Sequence, residues 1–272
     1  MTAEPAMWPG RGGVERDGHA LLESVPRSTP MVSTLISDLH GLVKQDFRGN
    51  ALRDVVLGLV PHSCRRVLDL GCGAGFMAIA LAERGHDVTA IDIDPDLVRL
   101  VDAGAVDRGV LVKTAVMSAL DIWRFAPSSF DAVVCLDVLE HLEDDGAAMR
   151  LSSQALRPGG VVVASVPAGP WLYGERDRSI GHHRRYTKRQ VADLLADAGF
   201  QVEFVRCFCM SGLLPYFFFE KVLRRPIYDG LRRRESPIWA GTARLLRNEL
   251  RMEWKARVPL GLTLIGRAHT YQ

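Results

Sequence analysis

Cysteine is scarce and unpatterned in this chain: Cys64, Cys72, Cys135, Cys207 and Cys209 are scattered over 272 residues. Three fall in or beside apolar stretches that read as buried strands, where cysteine acts as a small apolar residue. Cys207 and Cys209, two apart on a strand, point to the same face, but one pair supplies too few ligands for zinc. No metal site is expected. Long apolar runs are also missing. None reaches the roughly 18 residues that a spanning helix needs, and the opening MTAEPAMWPGRGG has no charged start followed by an apolar stretch. Neither a spanning helix nor a signal peptide is expected, so the protein reads as cytoplasmic. Net charge is only +2, yet it is uneven: residues 221–257 hold eleven Lys or Arg against four acids, including Arg232, Arg233 and Arg234. A solvated helical face is favoured there over a patch for phosphate, nucleic acid or a membrane surface.

A chain of this length can bury one substantial α/β core with room for a lid, but hardly a second independent domain. Residues 1–30 mix Gly, Pro, Ser and charge without period and read as a mobile segment. Residues 31–272 read as a single domain. Within it, Val32, Leu35, Ile36, Leu39, Leu42 and Val43 lie on one helical stripe, and residues 51–60 form a second helix, so 31–62 is expected to be a pair of cap helices. His40 and Phe47 are candidates for lining a pocket there, although a helix stripe is more often plain packing.

Residues 67–76 read VLDLGCGAGF, an apolar strand that runs into Gly71, Gly73 and Gly75. Glycine lets a backbone turn tightly and approach a ligand, and residues 76–84 are helical in pattern, so a helix N-terminus faces whatever the loop holds. A phosphate-binding loop would be disfavoured by an acid two residues before its first glycine. Asp69 suits a cationic ligand group instead. The order Asp-x-Gly-x-Gly-x-Gly also differs from the dinucleotide pattern Gly-x-Gly-x-x-Gly. At this point the chain resembles the class I S-adenosylmethionine-dependent methyltransferases, whose cofactor carries an amino group and a sulfonium. A bare strand-to-helix turn is the plain alternative.

Four more features follow in order. Residues 88–92 (VTAID) form a second strand ending in Asp92, about twenty residues past the first glycine, where a ribose would lie. The helix cap is better assigned to Asp94, directly before Pro95. Residues 110–115 read as a third strand. Residues 130–136 (FDAVVCL) are a fourth, buried on both faces, and deliver Asp137, Glu140 and His141 to the carboxyl edge where ligands sit in open α/β sheets. Leu156 to Gly160 (LRPGG) turns into a fifth strand, residues 161–166. The resemblance implies a Rossmann-like α/β fold: a seven-stranded, mostly parallel sheet with helices on both faces and an antiparallel last strand. It implies cofactor contacts at Asp69, Gly71, Cys72, Gly73, Gly75, Phe76, Asp92 and Leu136, with Ile93 against the adenine. Where the family often has an acid for the adenine amino group this chain has Ser118, leaving Ser118, the backbone near Ala119, or Asp121 for that contact.

Residues 167–190, PAGPWLYGERDRSIGHHRRYTKRQ, are too long and too rich in Trp, Tyr, His and Arg for an ordinary connection and read as an active-site loop. Thr187 and Gln190 make a capping box, so a helix starts there and ends at Ala198 with Gly199 beyond it. The stretch resembles a subgroup of small-molecule methyltransferases with a GH-x-RRYT signature. Glu140, Trp171, Tyr173, His183, Arg185 and Tyr216 are the candidate substrate contacts. The structural alternative for Arg184 and Arg185 is pairing with Asp177, Glu175 or the acids near Glu143. A sixth strand (200–209) and a seventh (261–271) bracket a helical insertion, 210–257. Its aromatic run Tyr216, Phe217, Phe218 and Phe219, with Trp239 and Trp254, suits a roof over an apolar acceptor, a homodimer contact, or core filling.

Methyl transfer from a sulfonium mainly requires nucleophile, methyl and sulfur to be held in line in a dry site. Where the acceptor needs deprotonation, His141 is the first choice of base, followed by His182 and Tyr186. The leading expectation is a methyltransferase acting on O, N or C of a small, partly aromatic metabolite. A second is a lipid-linked or saccharide acceptor at a membrane surface, and a third is a non-catalytic cofactor-binding protein. Nucleic acid is not expected, because LDVLEH stands where many nucleic-acid amino-methylating enzymes carry Asn-Pro-Pro-Tyr.

Overall fold

Alternation of apolar side chains above and below short parallel strands sets the architecture of the computed structural model, which describes residues 46–223 and 237–271. In chain order the helices are α1 (Phe47–Leu59), α2 (Phe76–Ala82), α3 (Pro95–Arg108), α4 (Asp145–Ala155), α5 (Glu175–Ser179), α6 (Lys188–Asp197), α7 (Leu213–Phe217) and α8 (Pro237–Ala256). The strands are β1 (Arg66–Leu70), β2 (Asp87–Asp92), β3 (Val112–Val116), β4 (Phe130–Leu136), β5 (Leu156–Pro167), β6 (Phe200–Phe208) and β7 (Thr263–Thr270). They form one sheet in the order β3-β2-β1-β4-β5-β7-β6. β1 to β5 pair in parallel, and β7 runs antiparallel between β5 and β6. The expected seven-stranded, mostly parallel sheet is therefore present.

Each face of the sheet has its own core. Val67 and Val134 join Val56, Ala78, Leu81 and Leu250 on one side. Leu68, Leu70 and Val133 join Ile122, Met149 and Leu195 on the other. Burial on both faces explains why β4 is apolar throughout after Asp131 rather than alternating. α8 is tied to α1 by Arg247, whose Nε and Nη2 donate to Asp54 at 2.6 to 2.9 Å.

Helix starts follow their caps. Asp94 accepts from Asp96 N–H at the start of α3, and Thr187 and Gln190 form the expected capping box on α6. α1 begins at Phe47, earlier than periodicity suggests, because Asp46 accepts from the backbones of Arg48 and Gly49. β5 begins at Leu156 rather than after the LRPGG turn, because Leu156 pairs with Phe130 across a register shift. β6 stops at Phe208. Cys209 lies beyond it with φ of 65°, so the shared strand face inferred for Cys207 and Cys209 does not exist; both residues are buried and neither forms a disulfide. No helix among the described residues is long and apolar enough to cross a membrane. Residues 31–45 of the expected first cap helix, His40, the segment 1–30, and Arg232 to Arg234 lie outside the described residues, as does the side chain of Trp239.

Candidate functional site

The loop after β1 is fixed by its own amides. Gly71 and Cys72 N–H both donate to Ile91 O at 2.9 Å, Gly75 N–H donates to Cys72 O at 2.9 Å, and Gly73 N–H donates to Asp92 Oδ2 at 2.9 Å. Those donors are spent on protein, so they do not form a cradle for a pyrophosphate. At Gly71 (φ 71°) a Cβ would lie 2.3 Å from Val138 Cγ2, which brings the segment after β4 hard against the loop. At Gly73 (φ 52°) a Cβ would meet nothing within 4 Å, so that position opens to space a ligand can enter.

Asp69 lies beneath this loop, 2% exposed, with Oδ2 buried and without a partner. Burial pushes its carboxyl up to about 7, against the hydrogen bond from Ala78 N–H and with help from Asp92. A buried carboxylate lacking a partner is costly until a cation or donor reaches it. That orphaned oxygen fits a ligand carrying positive charge. Asp92 also accepts from Asp94 N–H at 3.0 Å, yet a carboxylate has lone pairs left for hydroxyls. Ile93 beside it is 73% exposed, an apolar surface open to a flat ring. Ser118 is engaged as a cap, its Oγ accepting from Leu120 N–H at 3.2 Å, with Ala119 opening the turn it caps. Phe76 opens α2 and Leu136 ends β4, while Cys72 is buried and its thiol is pushed above its ordinary value by burial and then by Asp69. These residues converge on the carboxyl edge of β1, β2 and β4, and they are the ones that could hold the implied cofactor.

Next to them opens a cavity of about 200 Å³, walled by Arg48, Asp137, Glu140, His182, Arg185 and Tyr216 among others. β4 hands the chain to Asp137, which has φ of 53°, an unusual conformation for a non-glycine residue. Ser165 holds it there: Ser165 Oγ donates to Asp137 Oδ1 at 2.8 Å, and Asp137 N–H donates to Ser165 O at 3.0 Å. The single turn Leu139–His141 follows. Glu140 is 1% exposed and neither carboxyl oxygen has a hydrogen-bond partner. Burial, then Asp137, pushes its carboxyl well above the usual range. His141 is held below its ordinary pKa by burial and by neighbouring His182.

The loop after β5 supplies the opposite wall. Asp177 is its anchor, 1% exposed. It accepts from Gly174 N–H at 2.9 Å, from Arg185 Nε at 2.9 Å, and lies 3.0 Å from His182 Nδ1. Burial alone would raise this carboxyl, but the hydrogen bonds from His182 and Arg185 hold it at about 2. Arg185 also donates to Tyr216 Oη and to Ala168 O. His182 Nε2 then faces Glu140 Oε1 at 3.7 Å, and its ring meets that of His141 edge-on at 4.7 Å. Among the described residues, Glu140, His141 and His182 are the group whose ligand atoms lie close enough, within 4.8 Å of one another, to hold a metal ion.

The structure thus brings together Glu140, His141, His182, Arg185 and Tyr216. It directs others elsewhere. Tyr186 is buried and its hydroxyl donates to Asp145 at 2.7 Å; burial and Asp145 push it far above the ordinary phenol value. Trp171 is 57% exposed and packs near Phe217 over a separate apolar cavity of about 220 Å³. Tyr173 spends its hydroxyl on His182 O at 2.9 Å, and His183 contributes its backbone N–H to Glu140 O at 2.7 Å. Arg184 pairs with Glu143 O and Asp145. Phe47 lies on α1 against the core and Trp254 sits 5.9 Å from Phe204. Sequence reasoning did not single out Arg48, which lies 3.6 Å from Asp137 and donates to Thr263; no local pattern marks it. Asp177 was legible in the loop motif, but its place at the centre of the hydrogen bonds was not.

Known proteins resemble this arrangement. A family model described as a methyltransferase domain matches residues 42–204, more than half of the chain. A ubiquinone biosynthesis O-methyltransferase of Xylella fastidiosa (strain 9a5c) is 36% identical over 129 residues, 47% of this chain and 52% of that protein. The chain spans about half to two thirds of the length of the curated relatives it matches, 47% to 66% among the first of them. Of solved structures, the cyclase SpnF superposes with a TM-score of 0.57 at 22% identity, over 81% of this chain and 80% of that one. Phosphoethanolamine N-methyltransferase 2 of Haemonchus contortus, solved with S-adenosyl-L-methionine, gives 0.55 at 19% identity, over 82% of this chain and 53% of that one. At these identities the two structures speak for the fold.

Proposed function

We propose that this chain, which belongs to the class I S-adenosylmethionine-dependent methyltransferases, transfers a methyl group to an oxygen of a small acceptor held in the cavity beside the glycine loop. The observation that carries the reading is that Glu140 and His182 line that cavity with His141 against them, next to a loop whose buried acid Asp69 has an unpartnered Oδ2. The relatives named as O-methyltransferases favour oxygen over nitrogen or carbon.

When bound, S-adenosylmethionine supplies an electrophilic methyl group on a sulfonium, which an acceptor oxygen displaces in line. Asp69 neutralises positive charge beneath the loop, Asp92 receives ribose hydroxyls, and Ile93 offers a face to the adenine. Leu136, Ser118 and Ala119 complete that wall. An acceptor hydroxyl attacking that methyl group would release the sulfur as a thioether, and the imidazoles would take the hydroxyl proton. His141 and His182 converge on that point, and His182 is held by Asp177 with Nε2 toward the cavity. Arg48 and Arg185, each beside an acid, brace the cavity walls. A panel of phenolic and alcoholic acceptors incubated with the cofactor tests this: the product should gain one methyl group on oxygen, and methylation confined to nitrogen or carbon would refute the assignment.

A second reading, a lipid-linked acceptor at a membrane surface, is favoured by one observation. Leu214, Phe217, Phe218 and Val222 are exposed together after β6, Leu214 at 79%. Co-sedimentation with anionic vesicles checks it, and absence of salt-dependent binding would sink it.

A further inference from the structure

Glu140 is the acid that the hydrogen bonds around it leave over, with only His182 Nε2 facing it at 3.7 Å. Asp177 is taken by Arg185 and His182, and Asp137 by Ser165 with Arg48 nearby. Both Glu140 oxygens are buried and bare, a state that is unfavourable unless something cationic or proton-donating arrives. His182 is oriented in the manner of a metal-ligating imidazole: one ring nitrogen is bound to a carboxylate and the other faces Glu140. The third group, His141, has its ring set edge-on against that of His182, the centroids 4.7 Å apart.

We propose that Glu140, His141 and His182 bind one divalent cation of the zinc class, with Asp177 as the outer carboxylate that holds His182 in place. Two imidazoles and a carboxylate are a donor set that such ions accept, and three protein ligands with a fourth position open to a cavity is the pattern of catalytic rather than structural zinc. Ligands about 2.1 Å from a common ion stand no more than about 4.2 Å apart. The 3.7 Å between His182 Nε2 and Glu140 Oε1 meets that limit. The widest spacing, within 4.8 Å, closes with a side-chain rotation, and His141 is exposed enough to make it. The open position faces the interior of the cavity. With the ion bound, the imidazoles would act as ligands rather than as bases: an acceptor hydroxyl at the open position would lose its proton to water, the cation stabilising the oxyanion, and that oxygen would displace the thioether sulfur from the methyl carbon. That catalytic role rests on the methyl-transfer reading, whereas the binding of the ion does not.

The sequence conceals this site. Glu140 and His141 belong to the turn after β4 and His182 to a loop some forty residues later, so no ligand spacing appears along the chain.

The experiment uses the full chain, stripped with a chelator and titrated with Zn²⁺ alone in a calorimeter, without cofactor or acceptor. The expected result is one ion per chain, with affinity reduced at least tenfold in Glu140→Gln, His141→Gln and His182→Gln, each checked for an unchanged circular dichroism spectrum. Co²⁺ gives an independent reading on the unaltered protein. A strong visible absorption marks a four- or five-coordinate site, and only the weak spectrum of hydrated Co²⁺ would overturn the proposal. So would Zn²⁺ binding with no saturable single site, or folded variants that bind as tightly as the parent. S-adenosylhomocysteine titrated separately reports on the cofactor site, so failure of the metal site and failure of the methyltransferase reading are distinguishable.

Discussion

His182 Nδ1 lies 3.0 Å from Asp177, and that contact decides which ring nitrogen faces the cavity. The same carboxylate receives Arg185 and Gly174 N–H, so one buried acid closes the loop after β5 and aims the histidine.

Asp177→Ala should destabilise the fold by roughly 3–5 kcal/mol, the usual cost of leaving one partner of a buried ion pair uncompensated, here Arg185. Urea denaturation measures it. A change below about 1 kcal/mol would mean that the pair holds nothing together. Asp177→Asn keeps the shape but reverses the favoured tautomer of His182. It should therefore depress turnover more than it depresses stability.

His141→Ala should lower turnover by tenfold or more while cofactor affinity stays within about twofold, since a proton-handling or acceptor-binding group contributes roughly 10² or more to rate. Steady-state rates set beside calorimetric cofactor binding separate the two. Unchanged turnover removes His141 from the chemistry.

Asp69 makes the site sensitive to pH. Its carboxyl, raised to about 7 by burial, is protonated both folded and unfolded below about 4, the ordinary aspartate range. Between there and about 7 the unfolded chain gives up the proton and the folded one keeps it. Stability contributed by the protonated group is therefore present in acid and lost as pH rises to about 7. A cationic cofactor favours the ionised form, so affinity should strengthen as pH rises through that range, with proton release on binding below it. Calorimetry in buffers of different ionisation enthalpy reads that proton directly; no release at pH 6 would detach Asp69 from the ligand.

Two glycines of one loop should fail differently. Gly71→Ala places a methyl group 2.3 Å from Val138 Cγ2 and should lower stability by well over ~1 kcal/mol, since strain adds to the left-handed penalty of about 1–2 kcal/mol. Gly73→Ala meets no atom, so it should show that penalty alone while impairing cofactor binding. Equal loss of cofactor affinity and of stability in both would contradict the division of roles.

Much of this was legible in the residues. The strands announced themselves because parallel strands buried on both faces are apolar throughout, and Asp94, Thr187 and Gln190 marked helix starts because caps are local chemistry. The early start of β5 was not legible, since Leu156 joins the sheet only through its partner Phe130. Tyr186 stood in a suggestive motif, but the same stretch turns its hydroxyl to Asp145. The bare carboxyl of Glu140 and its approach to His182 exist only once two distant segments fold together, so the sequence suggested the residues without revealing that they form one site.

Calorimetric titration with S-adenosylhomocysteine tests the cofactor site, on which the chemistry depends, most directly. The prediction is one site per chain, weakened more than tenfold, about 1.4 kcal/mol, in both Asp69→Ala and Asp92→Ala, each of which removes a charge-assisted contact. Absence of binding, or affinity unchanged in both variants, would contradict it.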